Sequence, residues 1–150
     1  MATINTARLA KVYIQGRGCQ PTKAEREIFR NWLCLQFARI ADQVDFTPEE
    51  VTPEQLLAVH ANTGRLLIST AHNSHPFWTA RENAMFRAIH DHQHLAYNCG
   101  FDMQGEMRAF EVAADSAPKE IGWILYSEIA LQAAASIHTG SFQRQKLVRC

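Results

Sequence analysis

The stretch IGWILYSEIALQAAASI, residues 121–137, decides the fold of this chain. Apolar side chains occupy almost every position, so on a helical wheel they lie on all sides of the helix. A helix that is apolar all round is usually buried among other elements, which predicts that this stretch is the central helix of a bundle. No stretch of the chain reaches about 18 uninterrupted apolar residues, so we expect no helix that spans a membrane.

Three capping boxes mark further helix starts, at residues 22–25, 52–55 and 79–82. In each, a threonine is followed three residues later by Glu or Gln, and each side chain can hydrogen-bond to the backbone N–H of the other residue. Gly64, Gly100 and Gly140 supply helix stops. The predicted helices span residues 22 to about 44, 52 to about 62, 79 to 100, 102 to 115, and 121 to about 138.

The chain is long enough for one hydrophobic core and too short for two comfortable domains, with 150 residues of which 47% are hydrophobic. We therefore predict an all-α fold, with residues 1–150 forming a single helical domain, a bundle of about five helices. Residues 1–21 and 143–150 are expected to be irregular. Residues 66–70 fit a short strand or another helical turn, and the pattern does not distinguish the two.

Charge and cysteine content narrow the class of protein. Fifteen basic and fifteen acidic residues give a net charge of zero, which argues against binding of nucleic acid through a strongly basic surface. The four cysteines include no CxxC pair, and the N-terminus lacks the pattern of a signal peptide. These features predict a soluble cytoplasmic protein with free thiols.

The histidines are concentrated in one place. Three of the seven lie at positions 90, 92 and 94, inside the predicted helix that begins at the third capping box. His90 and His94 are one turn apart on the same side of that helix, a spacing at which two imidazoles can bind one metal ion. His92 points to the other side. The simpler alternative is that this stripe is the solvated face of an amphipathic helix.

Two carboxylates lie on predicted apolar faces. Glu106 shares a face with Met103 and Phe110, and Glu128 lies one turn from Gln132 in the central helix. Because an isolated buried charge is costly, each carboxylate must be paired, hydrogen-bonded, metal-bound or neutralised. The alternatives to a metal are an ion pair of Glu106 with Arg87 or Arg108, and hydrogen bonds through which Glu128 and Gln132 hold the bundle together.

Together these residues predict a metal site in the interior of the bundle. We expect His90, His94 and Glu106 to be the ligands of a divalent ion, zinc first and iron or manganese as alternatives. A three-ligand site leaves room for a water, whose pKa the metal lowers. Asp91 and Glu128 are the candidate catalytic residues, in supporting or general-base roles. The predicted function is that of a metal-dependent hydrolase with a small-molecule substrate.

The spacing of histidines and carboxylates in this sequence can be compared with the motifs of other classes of metal enzyme. The Glu-x-x-His pairs of di-iron bundles and the His-Glu-x-x-His motif of zinc proteases are both absent. His60, His90-Asp91 and Asp115 stand in the order H…HD…D, which is similar to that of the HD superfamily of phosphohydrolases. This similarity defines a second alternative, an enzyme that acts on nucleotides or other phosphate esters.

Three segments carry a further resemblance: FRAIHDHQH at residues 86–94, FDMQGE at 101–106, and TGSFQRQK at 139–146. Together they resemble small uncharacterised proteins of tailed bacteriophages, over the half of the chain from Asn73 onward. The resemblance implies a phage source and a location in the host cytoplasm, with no established activity. It also groups His90, Asp91, His94 and Glu106 as one signature.

A phage source suggests a function of a different class. Many small phage proteins bind a host protein, for example to block a defence system. Under this alternative the chain is a non-enzymatic inhibitor, its histidines serve structure or an interface, and a homodimer is expected.

Overall fold

The computed structural model describes residues 3–149. Over this range the chain forms six helices of two turns or more, together with a two-stranded sheet and two short 3-10 turns. The last helix, α6, is continuous but changes its winding in the middle. The elements are α1 (Thr6–Gln15), α2 (Lys23–Ala38), β1 (Val44–Thr47), α3 (Pro53–Thr63), β2 (Leu66–Ser69), α4 (Ala80–Ala96), α5 (Met103–Ser116) and α6, which joins the α-helical Gly122–Leu125, the π-helical Tyr126–Leu131 and the α-helical Gln132–Thr139.

The prediction of a mainly helical fold is confirmed, and all three capping boxes form both of their hydrogen bonds. At the start of α2, for example, the Glu25 N–H donates to Thr22 Oγ1 at 3.1 Å and the Thr22 N–H donates to Glu25 Oε1 at 2.9 Å. Each box fixes where a helix begins because it satisfies N–H groups that have no partner within the helix.

The fold is not purely α-helical, so the all-α prediction is wrong in this respect. β1 and β2 pair in parallel, from Val44 with Leu66 to Thr47 with Ser69, and α3 connects them. Helix α2 ends at Ala38, short of the predicted end near residue 44. Since each strand is four residues long and pairs across the intervening helix, neither carries enough local pattern to be recognised from the sequence.

The prediction that residues 1–21 are irregular is wrong for residues 6–15, where α1 forms, and residues 1–2 lie outside the described part of the chain. The Asn5 side chain accepts a hydrogen bond from the Arg8 N–H at 3.0 Å and so caps this helix. Residues 143–149 have no regular secondary structure, as predicted, but Leu147 and Val148 are buried. Residues 147–148 are therefore packed against the core.

Helix α6 lies at the centre, as its composition predicts. Ile121 just before it, and Ile124, Leu125 and Leu131 within it, are completely buried, and it packs against α1 and α5. The Ser127 hydroxyl accepts a hydrogen bond from the Val148 N–H at 2.8 Å, which attaches the end of the chain to α6. The π-helical turns Tyr126–Leu131 contain Glu128, and such turns are frequent at functional sites. None of the helices between residues 3 and 149 has the length and apolar character needed to cross a bilayer.

Tyr13 joins the two ends of the chain, and its removal should destabilise the fold. The Tyr13 hydroxyl donates to the Arg144 carbonyl at 2.9 Å and accepts from the Lys146 N–H at 3.2 Å. Tyr13→Phe leaves both backbone groups without this partner, so we expect a loss of about 1–2 kcal/mol in the free energy of unfolding, measured in urea. The matched control is Tyr97→Phe, at an exposed position, which should change stability by less than about 0.5 kcal/mol.

The buried Tyr13 hydroxyl also predicts that the stability of the fold depends on pH. Burial raises the pKa of Tyr13 from 10.0 to about 12, because the phenolate is poorly solvated in the core. As the folded-state pKa lies above the unfolded one, this stabilisation is complete below about pH 10 and is lost as the pH rises to about 12. Absorbance at ~295 nm should show a component that titrates near pH 12 and is missing in Tyr13→Phe. The same titration in both proteins would contradict the assignment.

Candidate metal centre

The structure brings His90, His94 and Glu106 together. The Nε2 atoms of the two histidines are 3.1 Å apart. Glu106 Oε2 lies 3.1 Å from His90 Nε2, and Glu106 Oε1 lies 3.3 Å from His94 Nε2. In residues 3–149 this is the one group of three or more His, Cys, Asp or Glu side chains placed to hold a metal ion. These are the three ligands that the sequence predicts.

The turn between α4 and α5 makes this approach possible. Gly105, in the first turn of α5, packs so closely on the Gly100 backbone that a Cβ atom would lie 1.7 Å from the Gly100 carbonyl oxygen. The Asp102 side chain caps α5 by accepting a hydrogen bond from the Gly105 N–H at 2.8 Å. A glycine at position 105 therefore allows the next residue, Glu106, to reach the histidines of α4.

Two contacts fix the His94 ring. Its Nδ1–H donates to the Cys99 carbonyl at 2.8 Å, and its plane stacks on Phe101 with the ring centres 4.3 Å apart. Because Nδ1 keeps its proton, an Nε2 atom that gives up its proton to a metal ion would present its lone pair on the side that faces Glu106 and His90. A backbone carbonyl that holds the outer nitrogen is a common support of a metal-binding histidine.

The charges of the cluster are strongly coupled. Burial alone would raise the pKa of Glu106, but hydrogen bonds from His90 and His94 and the charges of both rings outweigh it and lower that pKa from 4.5 to about 2. Burial acts to lower the pKa of His94, yet its bond to Glu106 and the charge of that carboxylate raise it. The cluster thus keeps Glu106 ionised, which is the form that binds a cation.

The spacing of the three donor atoms fits a metal ion. With metal–ligand distances of about 2.0–2.2 Å, neighbouring donors lie about 3.4 Å apart in a tetrahedral site and about 3.0 Å apart in an octahedral one. The Nε2–Nε2 distance of 3.1 Å falls between these values, and so do the distances of 3.1 and 3.3 Å from each histidine to its own Glu106 oxygen. Two imidazoles and one carboxylate form a donor set used both for zinc and for iron with open positions.

Asp91 and Arg87 lie near the cluster but outside it. Burial raises the pKa of Asp91, and the charges of His90 and His94 act in the opposite direction. Arg87 donates to the carbonyls of Ser69, Ala71 and His72, so it holds the end of β2 and the loop that follows. Among the ion pairs of residues 3–149, those of Glu106 are with histidines, which removes the predicted alternative of an ion pair with Arg87 or Arg108.

The structure also shows where His92, His60 and Asp115 lie relative to the cluster. His92 faces away from the cluster, as predicted, and lines a different cavity beside Gln36 and Arg39 of the α2 region. His60 and Asp115, which the HD-type alternative requires beside His90-Asp91, are not part of the ligand group.

A cavity of about 190 Å³ opens beside the cluster. His90 and Glu106 lie in its wall, and so does Glu128 of α6, the residue predicted as a general base. A reactant in this cavity would therefore contact both the candidate ligands and a further carboxylate.

Glu128 has a partner that the sequence did not identify. His75, in the loop before α4, lies 2.6 Å from it through Nε2, and their side chains are 0% and 4% exposed. Because the Phe77 N–H donates to His75 Nδ1 at 3.1 Å, the ring proton is on Nε2 and is donated to Glu128. A histidine in a loop is ordinarily exposed, and this contact joins residues 53 positions apart, so no local pattern marks it.

Comparison with known proteins found no matching family model, no significantly similar curated protein and no significantly similar solved structure. The resemblance to phage proteins therefore stays a prediction. The fold and the site define a mainly helical protein with a candidate centre of two histidines and a carboxylate.

The buried pair of His75 and Glu128 should be essential for stability. His75→Leu leaves the Glu128 carboxylate buried without this donor, so we expect a loss of about 3–5 kcal/mol in the free energy of unfolding. Glu128→Gln retains an oxygen that accepts from His75 Nε2–H and should cost less than about 1.5 kcal/mol. Urea unfolding of both variants measures the difference. Equal losses would show that the pair does not hold the loop against α6.

Proposed function

We propose that the protein binds one divalent metal ion, zinc first, through His90, His94 and Glu106, and acts as a metal-dependent hydrolase. The observation that carries this proposal is that the two histidine Nε2 atoms lie 3.1 Å apart and that each lies 3.1–3.3 Å from a different oxygen of Glu106, next to a cavity. The stacked and hydrogen-bonded His94 ring supports it, because a ligand held in place loses little entropy on binding the ion.

The cavity supports the hydrolytic part of the proposal. A metal ion held by three protein ligands supplies a bound water of lowered pKa. Glu128 shares the cavity with His90 and Glu106, and the bond from His75 orients its carboxylate. In hydrolysis the water oxygen bonds to the electrophilic atom, and Glu128 accepts the water proton and returns it to the leaving group. Asp91 is the candidate supporting carboxylate beside the ligand His90.

Metal content tests the first half of this proposal. Protein made without a histidine tag, loaded with zinc and desalted, should carry about one zinc per chain by elemental analysis. His90→Ala, His94→Ala and Glu106→Ala each remove one of three ligands, so zinc affinity should fall by about 100-fold or more. His92→Ala is the matched control, because it removes a histidine of the same helix that faces elsewhere, and its zinc content should be unchanged.

Two results would refute the metal site. One is less than about 0.1 metal per chain after separate loading with zinc, iron and manganese. The other is equal zinc loss in His92→Ala and His90→Ala, which would indicate binding through histidines in general.

Hydrolytic activity tests the second half of the proposal, that the metal-loaded protein is a hydrolase. We expect the zinc-loaded protein to hydrolyse at least one member of a panel of chromogenic amides, esters and phosphate esters. Glu128→Gln should lower kcat by about 10²–10⁴-fold with its zinc content retained, because the amide cannot accept the proton. Asp91→Asn, assayed in parallel, measures the supporting role of that carboxylate.

The panel of substrates also separates the two alternative functions, a phosphohydrolase of the HD type and a non-enzymatic inhibitor. Turnover of phosphate esters alone would favour a phosphohydrolase of the HD type, even though His60 and Asp115 lie outside the ligand group. No turnover in any metal-loaded form would favour the non-enzymatic inhibitor of a host protein. The resemblance to phage proteins supports the host cytoplasm as the place of action in either case.

A further inference from the structure

We infer that the cavity beside the metal centre binds the carboxylate group of a small acid through the side-chain amides of Asn83 and Gln132. This inference rests on the proposed metal site, and it names the class of substrate which that site would take.

The cavity is small and lies among three helices and the end of the chain. Asn83 and His90 come from α4, Glu106 from α5, and Glu128 and Gln132 from α6. Its volume is about 190 Å³. A buried cavity of about 150 Å³ holds a molecule as large as benzene, so this one has room for a compact group of about six heavy atoms. Such a space suits a small acid or one end of a longer one.

Two residues that line the cavity, Asn83 and Gln132, each have a buried hydrogen-bond donor without a partner. Asn83 Nδ2 and Gln132 Nε2 are buried atoms without a hydrogen bond, in residues that are 2% and 8% exposed. Leaving a buried amide N–H unpaired costs about 1–3 kcal/mol, so such groups in a cavity wall indicate where a ligand supplies the acceptors. Both unpaired atoms are donors, which selects a ligand with oxygen acceptors.

Among ligands with oxygen acceptors, the charges of the side chains around the cavity and of the metal ion favour an anion. Arg87, Glu106 and Glu128 line it and together carry a formal charge of minus one. A divalent ion on the histidine side adds two positive charges beside the cavity, which favours the binding of an anion when metal is bound. A carboxylate meets both conditions, because it is an anion and its two oxygens accept hydrogen bonds from two donors.

The substrate class follows from this arrangement. The carboxylate end of the acid would lie against Asn83 and Gln132, and the bond to be hydrolysed would lie towards His90 and Glu106. A cavity of this size places the two ends of the substrate only a few atoms apart. The inferred substrate is therefore a small acid with an amide or ester bond close to its carboxylate.

Propionate and propionamide test the inference, since they differ in charge and little in size. Their dissociation constants are measured by saturation-transfer NMR on zinc-loaded protein whose zinc content is checked by elemental analysis. We expect propionate to bind at least about 10-fold more tightly than propionamide, and at least about 10-fold more tightly to the zinc-loaded than to the metal-free protein.

Three variants locate the binding. Gln132→Met and Asn83→Leu replace an unpaired amide by an apolar group of similar size, so the fold should be retained. Each should raise the dissociation constant for propionate by about 10-fold or more with the zinc content unchanged. Gln93→Met is the matched control: Gln93 is also a buried glutamine with an unpaired amide atom, but it lines a different cavity. It should leave propionate binding unchanged.

The results distinguish a failure of the carboxylate inference from a failure of the proposed metal site. Full zinc content with no propionate binding, or with the same dissociation constant in wild type, Gln132→Met and Asn83→Leu, overturns this inference and leaves the metal site standing. Equal weakening in Gln93→Met overturns it as well, because the effect would not come from this cavity. Wild-type protein that takes up no metal overturns the inference and the proposed function together.

Discussion

The burial of α6 on all sides is the constraint on which the rest of the structure depends. A helix with side chains such as Ile124, Leu125 and Leu131 completely out of water must be covered by other parts of the chain. Helices α1 and α5 pack against it, and the hydrogen bond from the Val148 N–H to Ser127 attaches the end of the chain to it. Helix α1 and residues 147–148 therefore become part of the core of a chain that the capping boxes alone would describe as a simple bundle.

The same burial determines the chemistry of the site. Glu128 and Gln132 lie on a helix that has almost no access to water, so each needs a partner from elsewhere in the fold. Glu128 obtains one from His75, and Gln132 keeps an unpaired donor in the cavity wall. On the opposite wall Glu106 lies between two histidines, which lower its pKa despite its burial. Polar groups from three helices thus surround one small space, and this arrangement is typical of ligand sites in helical bundles.

The helices and the candidate ligands were predictable because their signals are local. A capping box extends over four residues, and the pair of His90 and His94 depends only on the period of one helix. Glu106 was recognisable because a carboxylate on an apolar face requires an explanation. The strands, the start of α1 and the pair of His75 and Glu128 were missed or left open. The strands and the pair of His75 and Glu128 depend on contacts between distant parts of the chain, such as the pairing of Val44 with Leu66, whereas α1 starts at a local cap by Asn5 that was overlooked.

By itself the sequence determined a mainly helical chain, the positions of most helix starts, the central place of α6, and the set of His90, His94 and Glu106. Periodicity and capping are properties of neighbouring residues, so they need no knowledge of the fold. Only the tertiary structure decided that Glu106 reaches both histidines, with one oxygen 3.1 Å from His90 and the other 3.3 Å from His94. It also decided that His75 holds Glu128 and that a cavity lined by residues with unpaired amides lies alongside. The close packing of Gly105 on Gly100 positions Glu106, and the cavity also needs α6 to meet α4 and α5, which joins residues far apart in the chain that no local pattern relates.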